Sequence, residues 1–571
     1  MDHNSPASAP VMRRKLRWYH IFMITIGGII GIGFATTSGQ VLAIAGPGGT
    51  LVAFGVNGFV AICVMEGICE MIVLWPISNA MIEFVRAFVD KDLAIVVGIA
   101  YWYSWACTMT ALVIGAAGLL SYWNISTGLL NVVFFGCIFV LFLINCSGIL
   151  LFGRIELAGG IFKLLLVTII FLTMICVNNG AGGGPSIGSA FFNDGIKNNP
   201  NVAGSQFVAV IIAIPIATFS YTGVEIVTVT AFEAAKPKEL RMPAKNIAYF
   251  TLIFYVLNIG GFIANIEWFN QNLPQFFSQP LVSLQTPNLG HTPWFPQTGL
   301  RSSAAPIIAT LQVGMKTLPA VLTGLLMYSG LSAANASLYV ASRTLYGLTR
   351  DLAYDDERFL VRMAAKLNVI SPRTRVPLWS LLVSVLAFSS WLPFIKIHSG
   401  YTQEDLQNTF ESIGSTGCLL VWASQCLAFI RYNKWLWKHK EELQGEHLQQ
   451  FQRWPQKGFS SWASALQPGP AYVGLISCLV IVFILNTASL WNGQDQKSKA
   501  LTVFLGPGLL LTIFLVLKLV NKRGWVVLDD RWEVLHSTLS NLTDLINPDI
   551  QTQPGSNPPT PSTNNIGEGE K

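Results

Sequence analysis

Charged side chains are scarce in this sequence. Asp, Glu, Lys and Arg make up only 12% of its 571 residues, whereas 52% are hydrophobic. A soluble domain carries about 25% charged residues, so a water-soluble body of this size would lack half of its usual surface charge. This scarcity argues against a soluble all-α protein. The apolar residues form blocks of roughly 20, the length that crosses a bilayer core, and they indicate an all-α, multi-pass membrane protein surrounded by the lipid bilayer.

Several kinds of motif are also missing. The nine cysteines all fall inside apolar blocks, their number is odd and no two form a Cys-x-x-Cys pair. This pattern favours small buried hydrophobic residues over a disulfide framework or a metal site. The sequence contains neither a phosphate-binding Gly-x-x-x-x-Gly-Lys-Ser/Thr motif nor a His-Glu-x-x-His motif. The basic residues form no continuous stripe, which argues against a nucleic-acid partner. We therefore expect neither an enzyme nor a bound cofactor or metal.

The apolar blocks predict about twelve membrane spans. Their approximate bounds are 20–44, 51–75, 94–121, 128–149, 157–178, 205–232, 245–268, 317–348, 376–395, 410–432, 470–490 and 501–520. The chain then divides into a cytoplasmic N-terminal tail (1–18), a core of spans one to ten (19–433), a cytoplasmic loop (434–468), spans eleven and twelve (469–521) and a cytoplasmic C-terminal tail (522–571). The end of that tail, from Gln553, is rich in Pro, Asn, Ser and Thr and is expected to be disordered.

The distribution of Lys and Arg predicts the orientation. With the N-terminus inside, 29 of the 36 basic residues lie in cytoplasmic segments, six lie in or beside outer loops, and Lys163 lies within span five. Basic residues resist translocation, so this excess predicts that both termini are cytoplasmic and that the number of spans is even. The glycosylation sequon at Asn124 would then face outside, but it lies so close to the membrane that we do not expect it to be used.

Spans one and six carry residues that interrupt a helix. Span one contains four glycines within seven residues: Gly27, Gly28, Gly31 and Gly33. Span six contains Pro215 and then Phe-Ser-Tyr-Thr-Gly-Val-Glu at 219–225. Each glycine weakens a helix by about 1 kcal/mol relative to alanine, so such a cluster favours unwinding. Two interrupted helices at matching places in the two halves of a chain are typical of a transporter binding site. The alternative is that Gly27-x-x-x-Gly31 merely lets two helices pack closely.

Four sequence blocks carry a resemblance to a known family. They are the run from Gly27 to Gly33 with Ala45-Gly-Pro-Gly48, the run from Met65-Glu66 to Trp75-Pro76, the run from Phe219 to Glu225 with Glu233, and Leu331-Ser-Ala-Ala-Asn335 with Ala341-Ser-Arg-Thr-Leu345. In their order and spacing the chain resembles the amino acid permeases of the amino acid–polyamine–organocation (APC) superfamily, in particular the fungal-type amino acid permeases. The resemblance covers spans one to ten well and the last two weakly. It implies the LeuT-like fold, a five-plus-five inverted repeat with two extra helices, and uptake of amino acids, usually by proton symport.

The interrupted helices would supply the substrate site. A zwitterionic amino acid needs N–H donors for its carboxylate and oxygen acceptors for its ammonium group, and a broken helix offers both. We assign the carboxylate to the N–H groups of Gly31, Ile32 and Gly33. We assign the ammonium group to carbonyls of the two breaks, namely those of Ile29, Ile30, Phe219, Ser220 and Tyr221, with Thr222 and Gly223 completing the second break. Phe219 occupies the place of an aromatic gate in related transporters; the alternative is an ordinary core or lipid-facing aromatic residue.

Lys163 is the predicted proton-coupling residue. A charged group inside a span is costly and is therefore paired, hydrated or neutral part of the time. The resemblance implies the coupling role, because in proton-coupled relatives a lysine of this span replaces a sodium site, and Lys163 matches that position. The proton is accordingly the expected coupling ion. The alternative is a lysine that reaches toward the membrane surface, but Lys163 lies six residues after the predicted start of its span and about fifteen before its end.

Further buried polar residues are assigned by position: Glu70, Glu225, Ser332 and Asn335. Glu225 follows the span-six break, where its carboxylate either caps free N–H groups of the second half-helix or relays a proton. Glu66 and Glu70 lie one turn apart on span two, and at least one of them is expected to be protonated or hydrogen-bonded to the facing repeat. Ser332 and Asn335 either touch span one or the coupling site, or form ordinary hydrogen bonds between helices.

One position departs from the family pattern. Where the fungal-type and related bacterial permeases usually carry a glutamate in span three, this chain has Leu112. Cationic amino acids are therefore less favoured substrates, and Ile32 and Phe34 make the first break more apolar, so neutral or hydrophobic amino acids are expected. Open alternatives are a transporter of another small amine (a polyamine, choline or a GABA-like compound) and a permease-fold nutrient receptor. We expect a plasma-membrane protein, and the sequence indicates no particular oligomeric state.

Overall fold

The computed structural model describes residues 16–183, 186–236, 238–270, 272–274, 302–350, 352, 359–389, 403–444, 451, 464–491, 496–522, 524 and 531–546. Most of the predicted N-terminal tail, and the end of the chain from Gln553 that was expected to be disordered, lie outside these residues. Within the described ranges the chain is helical and contains no strand, apart from one isolated bridge between Leu16 and Ala234.

The helices are numbered in chain order. They are α1 (Trp18–Ile29), α2 (Gly33–Leu74), α3 (Ala80–Phe88), α4 (Lys91–Gly118), α5 (Thr127–Cys146), α6 (Ile149–Asn178), α7 (Gln206–Thr218), α8 (Ile226–Thr230), α9 (Lys238–Asn265), α10 (Ala305–Gln312), α11 (Leu318–Thr349), α12 (Phe359–Ala365), α13 (Leu378–Ser389), α14 (Gln403–Lys438), α15 (Gly469–Val480), α16 (Gln496–Asn521) and α17 (Trp532–Asp544). A π-turn at Ile481–Leu485 and a 3-10 turn at Asn486–Leu490 continue α15.

Helix α4 lies at the centre of the bundle, whereas α5 and α16 lie at its edge. In the most apolar stretch of α4, 89% of the residues are buried within the protein, against 22% for α5 and 17% for α16. The two outer helices expose large apolar side chains, among them Val132, Phe139, Leu515 and Leu519. Lipid tails are as apolar as these side chains. The outer helices therefore face lipid, and buried polar groups are concentrated on the inner ones.

The all-α, multi-pass architecture is present, but the junction between spans one and two differs from the prediction. Ten segments of the described chain are long and apolar enough to cross a membrane, and the first covers 57 residues, more than one crossing requires. The predicted gap between spans one and two is a kink inside α2 at Gly46 and Pro47. Gly46 has φ 69°, a conformation that residues with a side chain rarely adopt, so it turns the chain without a polar loop. The number of twelve spans and the pairing of the two repeats stay predictions.

Span five begins earlier than predicted. Helix α6 starts at Ile149 instead of near 157 and accommodates Glu156 within its buried face. Lys163 consequently lies fourteen residues after the start of α6 and fifteen before its end, about 21 Å along the helix at 1.5 Å per residue. Its side chain is fully buried. Lys163 therefore lies in the middle of α6 with its side chain inside the bundle, which disfavours a lysine that reaches toward the membrane surface; its coupling role stays a prediction.

The bounds of the late spans shift as well. Helix α14 extends from Gln403 to Lys438, well beyond the predicted 410–432. Helix α13 is described from Leu378 to Ser389, and the remainder of the predicted span nine, 390–395, lies outside the described residues. The longer α14 brings residues near 404–411 alongside the first turns of α2.

Candidate functional site

Two interrupted helices face each other. Ile30, between α1 and α2, is extended. Between α7 and α8, a 3-10 turn at Phe219–Tyr221 is followed by Thr222 in an extended conformation. Gly223 has φ 117°, and it lies so close to α1 that a Cβ added to it would be 3.2 Å from Cγ1 of Ile29. The interruptions expected in spans one and six are thus present, and they are adjacent.

A hydroxyl group from α9 joins the two breaks. The Tyr255 hydroxyl lies 3.0 Å from the carbonyl oxygen of Ile29 and 2.8 Å from that of Ser220. A hydroxyl carries a single proton, so it donates to one of these carbonyls at a time. Sequence reasoning missed Tyr255, because nothing in the apolar sequence of span seven distinguishes the tyrosine that faces inward.

The backbone groups of the first break have partners of their own. The carbonyl of Ile30 accepts the hydroxyl of Ser329 at 3.2 Å. The N–H of Gly31 turns back and donates to the last carbonyl of α1 at 3.0 Å. The N–H groups of Ile32 and Gly33 begin α2, where helix geometry supplies no intrahelical acceptor. The assignment of the substrate carboxylate to this turn stays a prediction, with Ile32 and Gly33 as its most available donors.

The second break contains both satisfied and available polar groups. The carbonyl of Phe219 accepts the N–H and the hydroxyl of Thr222, at 3.2 and 2.7 Å. The carbonyl of Tyr221 lies 3.5 Å from the N–H of Val224. The Ser220 hydroxyl is buried and has no hydrogen-bond partner among the described residues. Buried polar groups are rarely left without a partner, so Ser220 offers a contact that a ligand can complete. Binding of an ammonium group by these carbonyls stays a prediction.

Apolar side chains surround the first break. A Cβ added to Gly31 would lie 2.9 Å from Cβ of Ala333 and 3.2 Å from Cδ2 of Leu112. A Cβ added to Gly33 would lie 2.8 Å from the ring of Phe219, which is buried and therefore not a lipid-facing residue. Leu112, the position that departs from the family pattern, thus lies directly beside the break. The side chains that approach Gly31 and Gly33 are therefore hydrocarbon.

Lys163 of α6 binds the first broken helix. Its Nζ lies 2.5 Å from the carbonyl oxygen of Gly27, two residues before the end of α1. Glu156 faces the same place, because a Cβ added to Gly27 would lie 2.6 Å from Oε2 of Glu156. The charges of Glu156 and Lys163 interact electrostatically. Sequence reasoning did not assign Glu156 to the site, because the predicted start of span five left it in a loop.

A chain of buried amides extends from this carboxylate. Asn335 Nδ2 donates to Oε1 of Glu156 at 2.6 Å, and Asn335 Oδ1 accepts Nδ2 of Asn145 at 2.8 Å. Ser332, one turn earlier in α11, lies beside Gly159 of α6, where an added Cβ would be 3.4 Å from its Oγ. Asn335 therefore contacts Glu156 near Lys163, whereas Ser332 packs against α6 at Gly159.

Glu225 contacts the second break and α14. Its Oε2 accepts the N–H of Gly223 at 3.2 Å, and its Oε1 lies 3.5 Å from Sγ of Cys418. Its side chain makes no hydrogen bond to the first turn of α8. The carboxylate is turned back toward the preceding loop, so it stabilises the break itself and does not cap the half-helix that follows.

Glu66 and Glu70 lie farther along α2. Oε1 of Glu66 accepts the hydroxyl of Tyr249 in α9 at 2.7 Å, which links the first half of the chain to the second. Glu70 is buried on the same helix. The structure thus gives Glu66 a partner from the facing half and places neither glutamate at the two breaks.

The end of α1 away from the break is tied to two other helices. The N–H of Leu16 donates to the carbonyl of Glu233 at 2.9 Å, and its carbonyl accepts the N–H of Ala235 at 2.8 Å. The carboxylate of Glu233 accepts the Tyr339 hydroxyl at 2.5 Å and lies 3.8 Å from Nε of Arg343. Together these contacts join the start of α1 to the segment between α8 and α9 and, through Glu233, to α11.

Replacing Tyr255 with phenylalanine removes the shared hydroxyl but keeps the ring. The Ile29 carbonyl keeps the N–H of Gly31 as a donor, whereas the Ser220 carbonyl loses the Tyr255 hydroxyl, and a buried acceptor without a donor costs about 1–3 kcal/mol. We expect the affinity for substrate to fall about 10-fold and the thermal unfolding midpoint of the purified protein to decrease. Tyr472→Phe is the matched control, because Tyr472 is 47% exposed on α15. Equal effects from the two substitutions would contradict this role of Tyr255.

Known proteins share both the sequence and the fold. Residues 20–526 match the family model described as amino acid permease. The basic amino-acid permease of Saccharomyces cerevisiae is 29% identical over 409 residues, which cover 70% of this chain and 65% of that protein, slightly less than two thirds of its length. The tryptophan permease of the same organism is 26% identical over 532 residues, which cover 90% of this chain and 78% of that protein.

A solved structure supports the fold independently. A manganese transporter of Eremococcus coleocola superposes with a TM-score of 0.51 at 12% identity, covering 95% of this chain and 100% of that one. At this identity the likeness shows the fold alone, and it confirms the expected LeuT-like transporter fold. The family match extends over both interrupted helices and Lys163. The chain therefore belongs to the amino acid permease family.

Proposed function

We propose that this protein takes up amino acids across the plasma membrane by alternating access. The observation that carries the proposal is the pair of interrupted helices that meet at Ile29 and Gly223 and share the Tyr255 hydroxyl. Half-helices present N–H groups and carbonyls at one place, which suits the carboxylate and the ammonium group of an amino acid. The buried Ser220 hydroxyl is a further polar contact for such a ligand.

The contacts at the far end of α1 support the alternating-access part of the proposal. Leu16 is held by Glu233 and Ala235 through two backbone hydrogen bonds. For the site to open inward, α1 has to leave these partners. These bonds and the one from the N–H of Trp18 to Oε2 of Glu239 join the start of α1 to the segment that leads into α9 and to the first turn of α9. Their loss would accompany a rigid-body movement of α1 between two discrete arrangements.

The proposed coupling ion is the proton, and Lys163 is the residue proposed to carry it. A charged amine inside a bilayer is tolerated while it is paired or hydrated. Here the amine contacts Gly27 of α1 and lies near Glu156 of its own helix. A movement of α1 changes this environment, so proton release and opening of the site are linked through one contact.

Neutral and hydrophobic amino acids are the proposed substrates. Leu112 and Ala333 border Gly31, and Phe219 borders Gly33, so hydrocarbon surrounds the first break. A cationic side chain would lose its hydration there without gaining a counter-charge from these three residues. The relatives include both a tryptophan permease and a basic amino-acid permease, and the apolar border favours the first kind of substrate.

Replacing Leu112 with glutamate is expected to shift this preference. The new carboxylate would lie beside Gly31, where it attracts a cationic side chain; its repulsion of the substrate carboxylate acts on lysine, arginine and leucine alike and cancels in their ratio. We expect inhibition of uptake by lysine or arginine to strengthen about 10-fold relative to leucine, as one charge-assisted hydrogen bond of about 1.5–3 kcal/mol would provide. The measurement is competition against a labelled neutral amino acid. Leu112→Gln separates charge from polarity, and an unchanged lysine-to-leucine ratio in the glutamate variant would contradict the specificity role.

The proposed orientation places both termini in the cytoplasm. It rests on the 29 basic residues of the predicted inner segments against six outside. It implies that the α1 end at Leu16 faces the cytoplasm and that the kink of α2 at Gly46 and the start of α14 face the extracellular medium. Small-molecule amino acids and the lipid bilayer are then the partners this proposal requires.

Competitive uptake tests the whole proposal. The chain is produced in cells that lack their own amino acid permeases, and uptake of labelled leucine is competed with each of the twenty amino acids at two external pH values, with and without an uncoupler. Saturable uptake that rises in acid medium and collapses with the uncoupler is expected, with neutral hydrophobic competitors strongest. Uptake of none of the amino acids at either pH would refute the transport proposal, and uptake indifferent to pH and uncoupler would remove proton coupling.

A further inference from the structure

A polar cavity lies between α2 and α14, just beyond the first break. It encloses about 280 Å³, part of which is open to the surface. Its main lining residues are Thr36, Thr37 and Gln40 of α2 with Gln407, Asn408 and Glu411 of α14. With the N-terminus inside, this is the outer side of the protein. None of the contacts described above for the two breaks uses this cavity.

The cavity contains a buried carboxylate and an unsatisfied hydroxyl. Glu411 is 6% exposed, and its Oε1 accepts Nε2 of Gln407 at 2.8 Å. Thr37 is 1% exposed, and its hydroxyl has no hydrogen-bond partner among the described residues. Glu404 adds a second carboxylate to the lining. The described lining residues include no Lys, Arg or His, so the charge available to a ligand there is negative.

We propose that this cavity captures the ammonium group of an arriving amino acid before the substrate moves to the two breaks. The proposal rests on the proposed function and on its orientation. An ammonium group has three donors and a positive charge. It can satisfy the Glu411 carboxylate and the Thr37 hydroxyl together, and it supplies the opposite charge that a buried carboxylate requires.

The position of the cavity fits a step before the central site. Thr36 and Thr37 lie within one turn of Gly33, the first residue of α2. Gly115 of α4 packs against Gln407, since an added Cβ would lie 3.1 Å from its Nε2. Leu112, three residues from Gly115 on α4, borders the first break. The cavity therefore lies next to the first break, about one helical turn farther along both α2 and α4.

A hydrogen bond crosses the cavity on its outer side. Nε2 of Gln40 donates to Oδ1 of Asn408 at 3.2 Å and connects α2 to α14. Gln40 lies one turn beyond Thr36 toward the kink of α2 at Gly46, and Asn408 lies one turn before Glu411 on α14. A ligand entering from outside passes this amide pair first and then meets the carboxylate.

The test uses n-butylammonium, an amine that lacks a carboxylate. Applied outside, it is expected to inhibit uptake by the wild-type protein competitively. In Glu411→Gln, we expect its inhibition constant to rise at least about 10-fold, the loss of one desolvated charge pair, and the external KM for leucine to rise with it. The KM measured from the cytoplasmic side in efflux is expected to change less than about 2-fold. Thr37→Val is expected to weaken butylammonium inhibition to a smaller extent.

Glu267→Gln is the matched control, because it removes the same charge two residues after the end of α9, and Glu267 is not a lining residue of the cavity. Equal inhibition of the wild type and Glu411→Gln by butylammonium would overturn the proposal, as would an effect of Glu267→Gln as large as that of Glu411→Gln. If Glu411→Gln changes the pH dependence of uptake but leaves butylammonium inhibition unchanged, Glu411 is a proton-binding residue instead, and the capture proposal is also overturned.

A binding measurement keeps this inference separate from the proposed function. The thermal unfolding midpoint of purified wild-type protein is expected to rise with butylammonium, and that of Glu411→Gln is expected to stay constant. If the wild type transports no amino acid but shows this difference, the capture site stands and the proposed function fails. If the wild type transports leucine and butylammonium shifts neither protein, the capture site alone fails.

Discussion

Lys163→Met is expected to abolish proton-driven accumulation and to leave the exchange of internal for external amino acid intact. A gradient of two pH units stores about 2.7 kcal/mol per proton, enough for about a 100-fold concentration ratio when one proton accompanies each substrate. Without a residue to carry the proton, the ratio falls to unity. The measurement is accumulation of labelled substrate in proteoliposomes with an imposed pH gradient, compared with exchange in the absence of a gradient.

The expected size of this effect follows from where Lys163 lies. Its amine is fully buried in the middle of α6 and bonds the Gly27 carbonyl next to the first break. Methionine fills a similar volume but neither donates a hydrogen bond nor holds a proton. It also leaves Glu156 buried without its positive neighbour. The substitution therefore removes the link between the protonation state of the site and the position of α1, while the backbone groups of both breaks stay in place.

Two further variants test whether the effect of Lys163→Met comes from losing a proton carrier or merely from losing a positive charge. Lys238→Met removes a positive charge at the exposed start of α9 and should leave accumulation unchanged. Lys163→Arg keeps a positive charge and its donors, but arginine does not release its proton in proteins. This variant should therefore also exchange substrate while losing proton-driven accumulation. A Lys163→Met protein that still builds the full, uncoupler-sensitive gradient would refute the coupling role.

Local composition predicts the breaks, because their causes are local. The glycines of span one weaken the helix wherever it packs, and Gly223 adopts φ 117° because few other residues can. Hydropathy likewise predicts the all-α multi-pass architecture. It misplaces the start of span five, because an averaging window treats Glu156 as a loop residue, whereas Asn335 satisfies it inside the bundle. A tertiary contact, invisible in the sequence, decides whether a charged residue can lie in a span.

The remaining site residues depend on which side chains the fold brings together. Tyr255 is one of many aromatic residues in apolar spans, and only the packing of α9 places its hydroxyl between two carbonyls. Asn145 of α5 joins the hydrogen-bonded residues around Lys163 only because the fold places it beside Asn335 of α11. The sequence offers no reason to assign a role to Glu411, because the predicted span ten begins only one residue before it. The cavity that it lines forms only where α14 packs against α2.

Gly31→Ala is expected to weaken substrate binding, because the first break leaves no room for a methyl group at this position. The added Cβ would lie 2.9 Å from Cβ of Ala333, closer than real Cβ atoms approach one another. Overpacking of this kind costs about 1–3 kcal/mol, hence about a 5- to 150-fold loss of affinity if it displaces the turn that begins α2. The measurement is the KM for leucine uptake together with the amount of protein that reaches the membrane.

A compensating substitution distinguishes a steric cause from general damage. Ala333→Gly removes the methyl group that the new Cβ would meet, and the second neighbour, Cδ2 of Leu112 at 3.2 Å, is the end of a flexible side chain that can turn away. The double variant should therefore recover most of the lost affinity, which is the positive coupling expected of residues in contact. Gly136→Ala and Gly324→Ala, where no atom lies within 4 Å of the added Cβ, should be silent. If the effects of Ala333→Gly and Gly31→Ala on affinity are merely additive, the close approach of α11 is not the reason that position 31 requires glycine. The steric argument for placing the substrate carboxylate at the N–H groups after Gly31 would then fail.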